Sequence, residues 1–78
     1  MKSFLISLET IAEVQTFVNL IGTLDSDFDL VSGRYVIDAK SILGILSLDI
    51  SKPIELRVYS YKDEMHQKLK DYILEEIE

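Results

Sequence analysis

Ala39-Lys40-Ser41-Ile42-Leu43-Gly44-Ile45-Leu46-Ser47-Leu48 sets a serine before a short apolar run that leaves on Ser-Leu. A serine placed there accepts a bond from an amide two or three residues on, so the run reads as a helix from about Ser41 to Leu48 with Ser41 as its N-cap. At about 3.6 residues per turn this is only about two turns. So short a second helix argues against a ferredoxin-like ligand-binding domain, the competing architecture for this order of elements. Ile42, Leu43, Ile45, Leu46 and Leu48 are also more apolar residues than one face of two turns can bury. Some of them must meet solvent and offer a docking surface, unless they fill the core or a contact between two copies.

On either side the hydrophobic periods alternate between two and 3.6. Phe4, Ile6 and Leu8 take every second position and predict a strand with one buried face. Thr10-Ile11-Ala12-Glu13 has the Thr-x-x-Glu spacing of a capping box, and Ile11, Val14, Phe17, Val18 and Ile21 continue it as a one-sided helix that Gly22 can end. Asp27-Phe28-Asp29-Leu30, a Ser32-Gly33 turn and Arg34 to Asp38 predict a hairpin. Asp49 to Pro53 is a turn, and Ile54, Leu56 and Val58 form a fourth strand. Ser60-Tyr61-Lys62-Asp63 repeats the capping pattern before Met65, Leu69, Ile73 and Ile77, which predicts a final helix running to the acidic end of the chain. The order is β-α-β-β-α-β-α, an α+β fold in two layers with a mostly antiparallel sheet and its helices on one face. One domain spans 1–78.

Composition narrows function. The 78 residues carry a net charge of −6, with Glu75, Glu76 and Glu78 at the C-terminus, so nucleic acids and anionic membranes are repelled. There is no cysteine, and no apolar run approaches the ~18 residues of a membrane span, which fits a cytoplasmic protein. His66 is the single histidine, and no second histidine or cysteine stands near it to make a metal site. No arrangement of nucleophile, base and oxyanion donor is visible. The expectation is a protein that is not an enzyme and holds no metal or cofactor.

The Lys40-Ser41 pair, Gly44, Ser47-Leu48 and the Ile50-Ser51-Lys52 approach to the fourth strand resemble, without a gap from about Asp27 to Ser60, the regulatory-serine segment of HPr. HPr is the histidine phosphocarrier family of the bacterial sugar phosphotransferase system. The resemblance implies an open-faced β-sandwich with a four-stranded antiparallel sheet in the order 1-4-2-3 and three helices on one face. In that family the phosphoryl-accepting histidine opens the first helix and an Arg-Pro pair follows after one residue. Thr10, Ala12 and Glu13 occupy the matching positions. A hydroxyl has replaced the imidazole, alanine the cation, and a carboxylate stands where phosphate would dock, so histidine-dependent phosphoryl transfer is expected to be absent.

The chain is thus similar to the catabolite-repression branch of HPr, which lost the histidine and kept the serine. The resemblance implies regulatory phosphorylation at Ser41 and partner binding through Ile42, Leu43 and Leu46. Its implied partners are proteins: a bifunctional serine kinase/phosphorylase and a transcriptional regulator. A monomer or weak homodimer is expected. Leu43 and Leu46 stand where the family commonly has methionine, and Asp49 where it has glycine. A ferredoxin-like small-molecule-binding domain and an orphan structural paralogue without phosphorylation are the alternative readings.

Overall fold

The computed structural model describes residues 1–77. Alternation gives the sheet its two unlike faces. In β1 (Lys2–Ile6), β2 (Phe28–Ser32) and β4 (Ile54–Val58), the inward residues Phe4, Ile6, Phe28, Leu30, Ile54, Leu56 and Val58 are buried, while Asp29, Glu55 and Arg57 point the other way. Three helices cover the inward face: α1 (Ile11–Gly22), α2 (Ile42–Leu46) and α3 (Asp63–Leu69). They add Val14, Phe17, Ile21, Ile45, Met65 and Leu69 to the same core cluster. Leu8 belongs to that cluster too, although β1 ends two residues before it.

All pairings are antiparallel. β4 lies between β1, with Lys2 opposite Val58 and Ile6 opposite Ile54, and β2, with Phe28 opposite Val58. β2 and β3 (Tyr35–Asp38) form the hairpin, closed where Ser32 faces Tyr35. Gly33, with φ of 60°, supplies the positive first position that a two-residue type II′ turn requires. The turn therefore sits on Gly33-Arg34, one residue later than the Ser32-Gly33 reading. Four strands thus run β1-β4-β2-β3, and the ferredoxin-like order does not occur.

The sheet has five strands, in the order β3-β2-β4-β1-β5, which corrects the expected count of four. β5 (Ile73–Glu76) occupies the free edge of β1, where the final helix was expected to continue. Two physical reasons stand behind this. Met65, Leu69, Ile73 and Ile77 recur strictly every fourth residue, and at about 100° per residue such a row drifts around a helix by roughly 120° over its length. It cannot keep facing one core. The β1 edge, meanwhile, offers a row of unpaired backbone groups. Tyr72 O accepts from Ser7 N at 3.0 Å and Ser3 O from Ile77 N at 2.8 Å, and Lys2 Nζ meets Glu76 at 2.9 Å. That carboxylate raises the pKa of the Lys2 ammonium. Glu75 and Glu76 are strand residues rather than part of the expected final helix; Glu78 lies outside the described residues.

Capping differs in detail as well. Lys62, without a side-chain bond, precedes α3; Ser60 instead donates its amide to Ser26 Oγ at 2.9 Å. α1 stops at Gly22 without a left-handed glycine, as Thr23 Oγ1 donates to Leu20 O at 2.6 Å and its backbone stays right-handed.

Candidate functional site

Ser41 leaves β3 on an extended backbone, φ −97° and ψ 106°, with its amide donating to Asp38 O at 3.0 Å. Its Oγ accepts from Gly44 N at 3.1 Å, so the predicted N-cap forms. Gly44 has a spatial reason to be glycine: a Cβ there would lie 3.2 Å from Ser41 Oγ and 3.3 Å from Ile37 Cδ1. The cap oxygen therefore rests over a position with no side chain. Lys40 does not face Ser41. Its Nζ turns back to Ser26 O at 3.0 Å and stands 5.7 Å from the centre of the Phe28 ring.

The apolar surplus of α2 divides as its crowding requires. Ile45 is fully buried, Leu48 packs against the core, Ile42 is half-buried, and Leu43 and Leu46 are 82% and 41% exposed. α2 itself spans only Ile42–Leu46, shorter than the stretch to Leu48 that the sequence suggested. It packs beside α1 and β3.

Thr10, Ala12 and Glu13 come together at the first turn of α1. Thr10 Oγ1 accepts from Glu13 N at 3.1 Å, and Glu13 Oε1 accepts from Glu9 N at 3.0 Å, one residue before the amide an ideal capping box would use. Both side chains thus hold backbone amides that the helix leaves free. Ala12 is exposed. Glu13 has a second effect: Tyr72, whose phenol pKa is raised first by burial, is raised further by this carboxylate.

Ile11 is a surface residue. The helical period counts it with Val14 and Ile21, yet it is 60% exposed. Periodicity identifies the apolar face of a helix but not where along that face the core stops. His66 is exposed on α3, its ring 6.5 Å from that of Phe4. Among the described residues no group of three His, Cys, Asp or Glu could hold a metal ion, and no helix is long and apolar enough to cross a membrane.

This arrangement superposes on a solved structure. The crystal structure of HPr-C-His from Thermoanaerobacter tengcongensis matches with a TM-score of 0.75 and 25% sequence identity, over 91% of this chain and 89% of that one. The fold is HPr-like. No protein-family model and no curated protein matches the chain. On this HPr-like frame the two N-capping hydroxyls, Thr10 and Ser41, open the two helices α1 and α2 that pack together.

Proposed function

We propose that this HPr-like protein does not carry phosphate on histidine and acts as a regulatory or adaptor module. It binds protein partners through Ile42, Leu43 and Leu46, under control of phosphorylation at Ser41. The observation that carries this reading is Leu43, a large apolar side chain 82% exposed two residues after the capping serine. Holding such a side chain in water loses the ~1.5–3 kcal/mol its burial would give, and a partner surface recovers it. A phosphate on Ser41 would add charge beside that side chain. It would disfavour an apolar partner through desolvation, or recruit one bearing arginine. The fitting partners are a serine kinase/phosphorylase and a transcriptional regulator, in the bacterial cytoplasm.

Incubation with the serine-directed kinase of HPr is expected to place one phosphate on Ser41, located by mass spectrometry. Ser41→Ala should abolish it and, by losing the cap, cost about 0.5–2 kcal/mol in urea unfolding. No phosphate on the wild-type chain would remove the regulatory half of the proposal and leave an HPr-like scaffold that acts through its apolar docking helix.

The loss of carrier chemistry has its own test. Thr10→His is expected not to accept phosphate from the histidine-directed enzyme of the sugar system, since Ala12 supplies no cation and Glu13 still presents a carboxylate. Efficient labelling of that single variant would show that these neighbours matter little.

A further inference from the structure

β5 is not held evenly along its length. Its register sets Ile73 opposite Ile6 but Glu75 opposite Leu5, so Leu74 is an extra residue without a partner, a bulge that bends the strand. Before the bulge the chain is anchored: Tyr72 and Ile73 pack against the core, and the Tyr72 ring meets that of Phe17. From the bulge onward every side chain is exposed, Leu74 at 55%, Ile77 at 47%, and Glu75 and Glu76 between them. This end is held by the Ile77 amide on Ser3 O at 2.8 Å, the pairing of Glu75 with Leu5 and the Lys2–Glu76 ion pair. An ion pair so open to water adds little, so backbone bonds alone are set against the entropy of ordering these residues. Beneath them, alternation from Ser3 O turns the outer backbone groups of Ser3 and Leu5 toward β5, while those of Phe4 and Ile6 face β4. Ser3, in register between Arg57 and Ile77, is the one buried polar residue among the described residues.

We propose that Leu74–Ile77 is a strap, hinged at the bulge, that opens as a unit while Tyr72 stays docked, and that the uncovered β1 edge then takes an extended acidic segment of a partner protein in its place. What the strap leaves behind defines that partner. The backbone groups of Ser3 and Leu5 lose their bonds, and an extended chain is the ligand that matches such a row. Lys2 loses the carboxylate of Glu76, so the incoming segment must supply another. Opening also carries Glu75 and Glu76 off the edge, which removes the two charges that would repel an acidic segment there. The strap therefore acts as a built-in competitor: the apparent affinity of the edge is reduced by the fraction of molecules in which it is open. This edge is at the opposite end of the sheet from β3, beside which α2 packs, so the site is separate from the α2 surface.

Hydrogen exchange of the full chain, read amide by amide by nuclear magnetic resonance, tests the hinge. The Leu5, Glu75 and Ile77 amides are expected to share one opening equilibrium and to exchange at least about tenfold faster than those of Phe4 and Ile6, which face β4, and of Ser7, which Tyr72 O holds. Leu5 as protected as Phe4 and Ile6 would overturn the strap. A fluorescent peptide of residues 71–77, followed by anisotropy, then probes the edge. Glu76→Lys in the chain sets like charges together at Lys2 and should release the strap, so this variant is expected to bind the peptide about tenfold more tightly than the wild type. A peptide that itself carries Glu76→Lys should bind the same variant about tenfold more weakly, since it brings no carboxylate to Lys2. Failure of the Glu76→Lys chain to bind the unaltered peptide would overturn the acceptor edge. Equal binding of the two peptides would place the contact on another surface and overturn the assignment of an acidic partner.

Discussion

Phe17→Ala is expected to destabilise the protein by about 3–5 kcal/mol, against the ~4–12 kcal/mol that a chain of this length holds in total. Phe17 is fully buried on α1, and its ring meets that of Tyr72 edge to face, with centroids 5.2 Å apart and planes at 72°. Truncation removes the transfer free energy of a whole ring, leaves a cavity in a core of only three helices and one sheet, and strips Tyr72 of its aromatic partner. Because Tyr72 connects α3 to β5, the loss reaches the edge strand as well. Urea unfolding measures the total, and a loss below ~1.5 kcal/mol would mean that neighbouring side chains collapse into the space.

Tyr72 offers an independent reading of the same contact. Its phenol pKa is raised, by burial first and then by Glu13 and Asp71, so its neutral form is favoured in the folded state. The stability linked to it is complete below the unfolded value of about 10 and is lost as pH rises through the folded value. Opening the Phe17 site to water removes part of that burial. Ultraviolet titration of Phe17→Ala at a urea concentration where it remains folded should therefore show Tyr72 ionising at lower pH than in the wild type.

The readable parts of this chain are those whose signal is local in sequence. The caps of Ser41 on Gly44 and of Thr10 on Glu13 form as the spacing predicts. The Gly33 turn forms one residue later than read, and β4 is legible from the two-residue period of Ile54, Leu56 and Val58 although its partners are distant. β5 was not readable because its cause is seventy residues away: Ile73 pairs with Ile6, and Glu76 with Phe4 and Lys2. Nothing between Tyr72 and Ile77 announces that the β1 edge needs covering. The same limit explains Ser60, whose amide is taken by Ser26 from across the fold rather than by a helix of its own. At the candidate site, crowding within Ser41–Leu48 revealed that apolar side chains must be exposed, and the structure assigns the greatest exposure to Leu43. The exposure of Ile11 was hidden because its period matches the buried stripe.

Ile45→Ala is expected to separate the anchoring of α2 from its surface. Five residues are far below the ~12–15 at which a helix becomes marginally stable alone, so tertiary packing must hold α2 in place. Ile45 is its only buried residue. Truncating a fully buried isoleucine costs about 2–5 kcal/mol, and here the core can shed part of that cost by letting the short helix open locally. Hydrogen exchange should then show the Ile45 and Leu48 amides, bonded to Ser41 O and Ile45 O at 3.0 Å, losing protection ahead of the β4 amides. Leu43→Ala makes the contrasting case. It removes a side chain in water and should move stability by less than ~0.5 kcal/mol. If α2 is the docking element, both substitutions weaken a partner: Leu43→Ala by deleting contact, Ile45→Ala by adding the cost of ordering the helix on binding. Stability unchanged in Ile45→Ala would show that α2 is held by something other than this side chain, and the geometry that presents Leu43 and Ser41 would then need another anchor.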